Sequence, residues 1–266
     1  MDRIAVIARH AALEALRARL PLLLLAGLLL AAAGASFVSE LAVIEGARAR
    51  LLTYAALARV AAVCMLAAHV LAGITREFDD KCMDVFLALD LPRAHYILGK
   101  LSGFMLAALL TAIIVSLPLW WMAEPGAALQ WTLALALELA VVAAFALFCA
   151  AAFAQFAPAA VLTLAFYGLA RGLAGLQLMS AHPVSGAGSW QQEISRALVD
   201  ALAWVMPALH RWPHTAWLAG EAPAWMAFAM DALQGLVYVA LIATADRKST
   251  RLNSSHVSES RMPSSA

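Results

Sequence analysis

Residues 76–123 read REFDDKCMDVFLALDLPRAHYILGK followed by LSGFMLAALLTAIIVSLPLWWMA. The first 25 residues carry nine formal charges: Arg76, Glu77, Asp79, Asp80, Lys81, Asp84, Asp90, Arg93 and Lys100. The next 23, Leu101 to Ala123, carry none. Hydrocarbon leaves charge and irregular backbone unsolvated, so the charged island must stand in water while the run after it crosses a bilayer. The fold is decided at that junction.

Working outward, the same alternation covers the chain. It is 64% hydrophobic and 13% charged, with a mean hydropathy of +0.82. Soluble domains are about 45–50% apolar and about 25% charged, so the class is an all-α, polytopic membrane protein. A span needs about 20 apolar residues. Six such runs are present, at about 20–39, 51–75, 101–123, 129–153, 159–178 and 223–245. Glu124-Pro125-Gly126 reads as a tight turn, and Gln155-Phe156-Ala157-Pro158 as the breaker between spans four and five. Residues 1–245 form one transmembrane domain. The first apolar run continues into a multi-span pattern, unlike a cleaved signal peptide.

Lys and Arg set the orientation. With the N-terminus in the cytoplasm, Arg3, Arg9, Arg17, Arg19, Arg76, Lys81, Arg93 and Lys100 lie inside. Only Arg48, Arg50, Arg196 and Arg211 then lie outside. Both termini and the island are expected to be cytoplasmic.

The last 21 residues, DRKSTRLNSSHVSESRMPSSA, replace an Ala- and Leu-rich chain with Ser, Arg and Asn. They resemble the in-frame translation of a sequencing-library adapter, which implies that 246–266 is artefactual and that the natural C-terminus is missing. Setting them aside removes four of the 18 Lys/Arg and two of the 17 Asp/Glu, leaving 14 against 15. The apparent basic tail then disappears.

Within the island, Phe78, Cys82, Val85, Phe86 and Leu89 mark an apolar stripe at helical spacing, with Glu77, Asp80, Lys81 and Asp84 facing elsewhere. A short amphipathic helix over 76–89, ended by Asp90-Leu91-Pro92-Arg93, is shaped to dock into a partner's groove. The first 19 residues place Arg3, His10, Glu14 and Arg17 on one stripe and read as a helix along the membrane surface. The long loop from Met179 to Ala222 has a Gly/Ser-rich turn at 182–189. It then repeats Ile194, Leu198, Ala201, Leu202 and Val205 at helical spacing and holds Trp190, Trp204, Trp212 and Trp217. One or two short helices dipping into the outer interface are expected.

Five ionisable residues fall in or near spans: Arg59, His69, Glu138, Arg171 and Asp231. They are a polar path, a proton relay or mutual ion pairs. Arg59, Glu138, Arg171 and Asp231 all fall in the outer halves of their spans, where pairing is expected. Cys64, Cys82 and Cys149 fit neither a disulfide framework nor a metal site, and His210 and His214 lack further ligands. The chain contains no P-loop, no GxSxG elbow and no HExxH helix. If ATP drives it, the ATPase is another chain.

The segment REFDDKCMDVFLALDLPRAHYILGK resembles the first cytoplasmic loop of type-2 ATP-binding-cassette (ABC) exporter permeases. The likeness is carried by the charged helix at Glu77 to Lys81, the Pro92-Arg93 turn and Leu98-Gly99-Lys100 leading into span three. The N-terminal IARHAALEALRARL resembles that family's elbow helix. The resemblance covers about residues 1–245. It implies a bacterial inner-membrane permease that dimerises with itself or a second permease, sits among membrane lipids and binds no nucleic acid. It also implies a separate ABC ATPase subunit holding ATP and Mg, with no cofactor on this chain and no catalytic residue of its own. Coupling would fall to Arg76, Glu77, Asp80, Lys81, Asp84, Pro92, Arg93 and Lys100. Two other readings of the residues stand beside it. One is a proton-coupled secondary transporter using Glu138 and Asp231; the other is a membrane anchor or assembly factor without transport.

Overall fold

The structure is a computed structural model and describes residues 3–18, 20–42, 45–80, 93–181, 190–207, 209, 215–220 and 225–259. Among these, the chain runs α1 (Arg3–Arg17), α2 (Leu20–Leu41), α3 (Gly46–Asp79) and α4 (Arg93–Ser116), then the single turn α5 (Leu119–Met122). It continues with α6 (Pro125–Phe153), α7 (Phe156–Ala181), α8 (Trp190–Val205), a 3₁₀ turn at Thr215–Ala219 and α9 (Trp225–Glu259). No strand occurs among the described residues. Six of the helical segments are long and apolar enough to cross a membrane: Leu20–Leu41, Gly46–Asp79, Tyr96–Met122, Pro125–Phe153, Phe156–Ser180 and Trp225–Thr244. That is the architecture of a multi-pass membrane protein.

The centre is α6, apolar on every face and buried on most of them, with α3, α4, α7 and α9 packed around it. Alanines carry the contact: Ala134, Ala140, Ala143, Ala144, Ala146 and Ala150 are all buried. Small side chains let backbones approach, which is where helix association in lipid finds its packing. α2 lies along α3, and α1 packs against α4. At the second contact the backbones nearly touch. A Cβ on Gly103 would stand 2.6 Å from the Ala11 Cβ and 2.8 Å from the Ala8 carbonyl oxygen.

Several boundaries differ from those read in the sequence. α3 has 34 residues. At about 1.5 Å per residue it outruns a hydrocarbon core of about 30 Å, so its charged ends project at both faces. Arg76 to Asp79 are therefore the last turn of span two rather than the start of a separate helix, and Asp80 caps it. The rest of the expected docking helix, Lys81 to Pro92, lies outside the described residues. Span three, Tyr96–Met122, is bent within its length: α4 ends at Ser116 and the turn α5 follows, because Pro118 has no N–H to continue the ladder. The Tyr54 hydroxyl donates to the Val115 carbonyl at 3.1 Å, satisfying the group that the break uncovers.

Pro125 does not turn the chain. It opens α6, where a missing N–H is harmless and φ is already helical. The α6–α7 break falls at Ala154 and Gln155, at the leading edge of the expected Gln155 to Pro158 breaker, and Pro158 itself sits in the first turn of α7. Ala154 ends α6 in the left-handed region (φ 50°), its N–H bonded to the Ala150 carbonyl at 2.9 Å. α9 continues past Thr244 into the adapter-like segment. Of the loop tryptophans, Trp190 and Trp204 are exposed, but Trp217 is buried edge-on to Phe228 and belongs to the core. Trp212 and residues 182–189 lie outside the described residues.

Candidate functional site

Two buried charge clusters form at different levels of the bundle. The first is at the end where the island leaves α3 and rejoins at α4. Lys100 enters α4 facing inward and is 6% exposed. Its Nζ lies 3.4 Å from Glu14 Oε2 of α1 and in direct contact with Glu77 Oε1 of α3. The Tyr96 hydroxyl, one turn before Lys100, donates to the other Glu77 oxygen. The Phe104 ring lies one turn further on, its centroid 5.9 Å from Nζ, and His69 of α3 stacks edge-on against it at 6.3 Å. One ammonium thus ties three helices, including both roots of the island. A buried ammonium is tolerable only when its charge and its donors are matched, and two carboxylates do both.

The second cluster surrounds Glu138, near the midpoint of α6 and fully buried. Arg171 of α7 brings Nη1 to 3.5 Å from Glu138 Oε1, and the same nitrogen donates to the Leu209 carbonyl at 2.6 Å. Arg59 of α3 and the Tyr167 hydroxyl of α7 face the same carboxylate. The arrangement pins α7 and the Leu209 segment onto α6. Pairing Glu138 with Arg171 matches the sequence expectation.

The remaining expected residues separate from these clusters. Arg76 and Asp80 are solvent-facing, 3.8 Å apart and one turn apart on α3. Glu77, expected to face away from the apolar stripe, is turned inward with Phe78, which packs on the core. Arg93 is the first residue of α4. Lys81, Asp84 and Pro92 lie outside the described residues. His69 joins the first cluster through Phe104. Asp231, half-buried on α9, forms no ion pair among the described residues. Cys64 is exposed and Cys149 buried, both as free thiols; Cys82, His210 and His214 lie outside the described residues. Among the described residues no group of three His, Cys, Asp or Glu gathers to hold a metal ion.

Sequence reasoning missed Glu14, Tyr96, Tyr167 and the Leu209 carbonyl as partners. Tyr96 and Lys100 share a helix face at a spacing of four, a signal present in the sequence. Glu14 has no such local signal, lying 86 positions from Lys100. No protein-family model matches the chain, and a search of curated proteins finds no match to it.

Proposed function

We propose that this chain is the membrane-spanning permease subunit of an ATP-driven ABC exporter, transmitting the work of a separate ATPase through the charged island. The observation that supports this most is the Lys100 clamp. A partner pushing on a loop moves spans only if the loop's two roots are stiff. Here the root in α3 (Glu77) and the root in α4 (Lys100) are joined directly, and Glu14 adds α1 to the same unit. The N-terminal helix acts as the elbow along the cytoplasmic face, α8 lies at the outer face, and a second permease completes the pore. Exposed Arg76 and Asp80 offer charge to the ATPase, with Lys81, Asp84, Pro92 and Arg93 completing the docking segment. ATP and Mg stay on the partner.

The test is co-purification of the full chain with a candidate ABC ATPase from the same organism, with transport measured in parallel. Arg76→Ala with Asp80→Ala should reduce ATPase capture, because both side chains face solvent. Lys100→Met should leave capture intact and abolish transport, because it breaks the lever and not the docking surface. Unchanged capture and transport in both variants would overturn the proposal.

The fully buried Glu138 favours one second reading, a proton-coupled transporter. It predicts transport that survives deletion of the ATPase and collapses with the proton gradient. A chain that binds a partner through the island but neither transports nor stimulates ATP hydrolysis would be an anchor or assembly factor.

A further inference from the structure

At the end of the bundle opposite the island, a cavity of about 270 Å³ opens between α2, α3 and the bend that follows α4. Its wall is apolar, built from residues such as Leu25 and Leu29 of α2 and Pro118 and Met122 of the bend. Leu25 and Leu29 are themselves exposed, so the mouth opens on the surface the spans turn toward lipid. The bend makes the groove: Pro118 interrupts the helix, and the Tyr54–Val115 bond holds the interrupted backbone in place.

Among the described residues a single cation lines this cavity. Arg50, one turn into α3, gives Nε and Nη2 to Ser39 Oγ at 3.2 and 3.1 Å. A guanidinium carries five N–H donors, and among the described residues the others meet no protein acceptor. Neighbouring Arg48 differs, since it pairs with Glu45 at 3.4 Å and does not line the cavity.

We propose that this groove binds a membrane phospholipid, with a stretch of acyl chain on the apolar wall and the phosphate on Arg50. The chemistry fits at both ends. A guanidinium fork matches a phosphate, and an apolar wall open to the bilayer takes hydrocarbon without displacing ordered water. Arg50 stands near the helix end, where headgroups lie, while Leu25 and Leu29 stand toward the middle of α2. A soluble anion would gain nothing from the wall, and an uncharged hydrocarbon nothing from the arginine. The inference concerns the lipid-facing surface and does not rest on the exporter reading.

Native mass spectrometry of the full chain, titrated with dioleoyl-phosphatidylglycerol, tests it. The wild type should retain one phosphatidylglycerol more firmly than any further copies. Arg50→Gln should weaken that retention about tenfold, the loss of one charge-assisted contact. Ala32→Trp, which fills the groove from an exposed position of α2 and leaves Arg50 in place, should weaken it similarly. Arg48→Gln should leave it unchanged. Dioleoylglycerol and inorganic phosphate, added separately, should each bind far more weakly than the lipid. Equal retention by wild type, Arg50→Gln and Ala32→Trp would reduce the site to ordinary annular lipid and overturn the proposal. So would binding of inorganic phosphate alone at the lipid's affinity.

Discussion

Lys100 shows what a single residue can and cannot disclose. Its charge at the start of an apolar run marks it as chemistry-bearing in the sequence. Its burial against Glu77 and Glu14 does not, because both partners come from other helices and no periodicity brings α1 onto α4. The nearest hint is Gly103, one turn on, where only a hydrogen fits against Ala11 and the Ala8 carbonyl. Ala154 makes the opposite case. Nothing distinguishes it in an alanine-rich run, yet it alone takes the left-handed turn that separates α6 from α7. A Cβ in that region is strained, and glycine is the residue that accepts it freely. Ala154→Gly should therefore stabilise the protein by roughly 0.5–1 kcal/mol, read as a higher Tm in detergent. Ala154→Val should lower it.

At the scale of elements, the six spans were legible because length and hydropathy suffice for a membrane helix. Their ends were legible to within a few residues, but the breaks between helices were not, because Pro118, Pro125 and Pro158 play three different parts. Pro118 breaks a helix, Pro125 starts one, and Pro158 sits harmlessly in a first turn. Position relative to the hydrogen-bond ladder decides among these, and a proline's identity alone does not reveal it. The Glu138–Arg171 contact was foreseeable from the rarity of buried charge in spans, whereas the reach of Arg171 to Leu209 was not. That second bond has a consequence for stability. Glu138→Met should destabilise by about 3 kcal/mol or more, since it strands a partly buried guanidinium. Adding Arg171→Met should recover part of that loss but not all of it, because the Leu209 carbonyl loses its donor as well. Full recovery in thermal unfolding of the double variant would show that the Leu209 bond contributes nothing.

For the whole molecule, the two charge clusters divide the labour along the bundle. One binds the roots of the island to the N-terminal helix; the other fastens α7 and the Leu209 segment to the central helix α6. Between them run the buried alanine-lined contacts of α6. The charged island was the part most readable from sequence, because charge in a membrane protein is conspicuous. The Lys100 cluster behind it was hidden, because it depends on tertiary contact among three helices. Under the exporter proposal, ATP acting at the island end moves the opposite end through Lys100. Spin labels at Trp121→Cys and Trp225→Cys, both exposed at that opposite end, report the motion directly once Cys64, Cys82 and Cys149 are replaced by alanine. In the complex with the ATPase, the account predicts that Mg–ATP shifts the interlabel distance measured by pulsed electron paramagnetic resonance. It predicts that Lys100→Met abolishes the shift while the ATPase stays bound. An interlabel distance that Mg–ATP leaves unchanged in the wild-type complex, or that shifts equally in Lys100→Met, would contradict it.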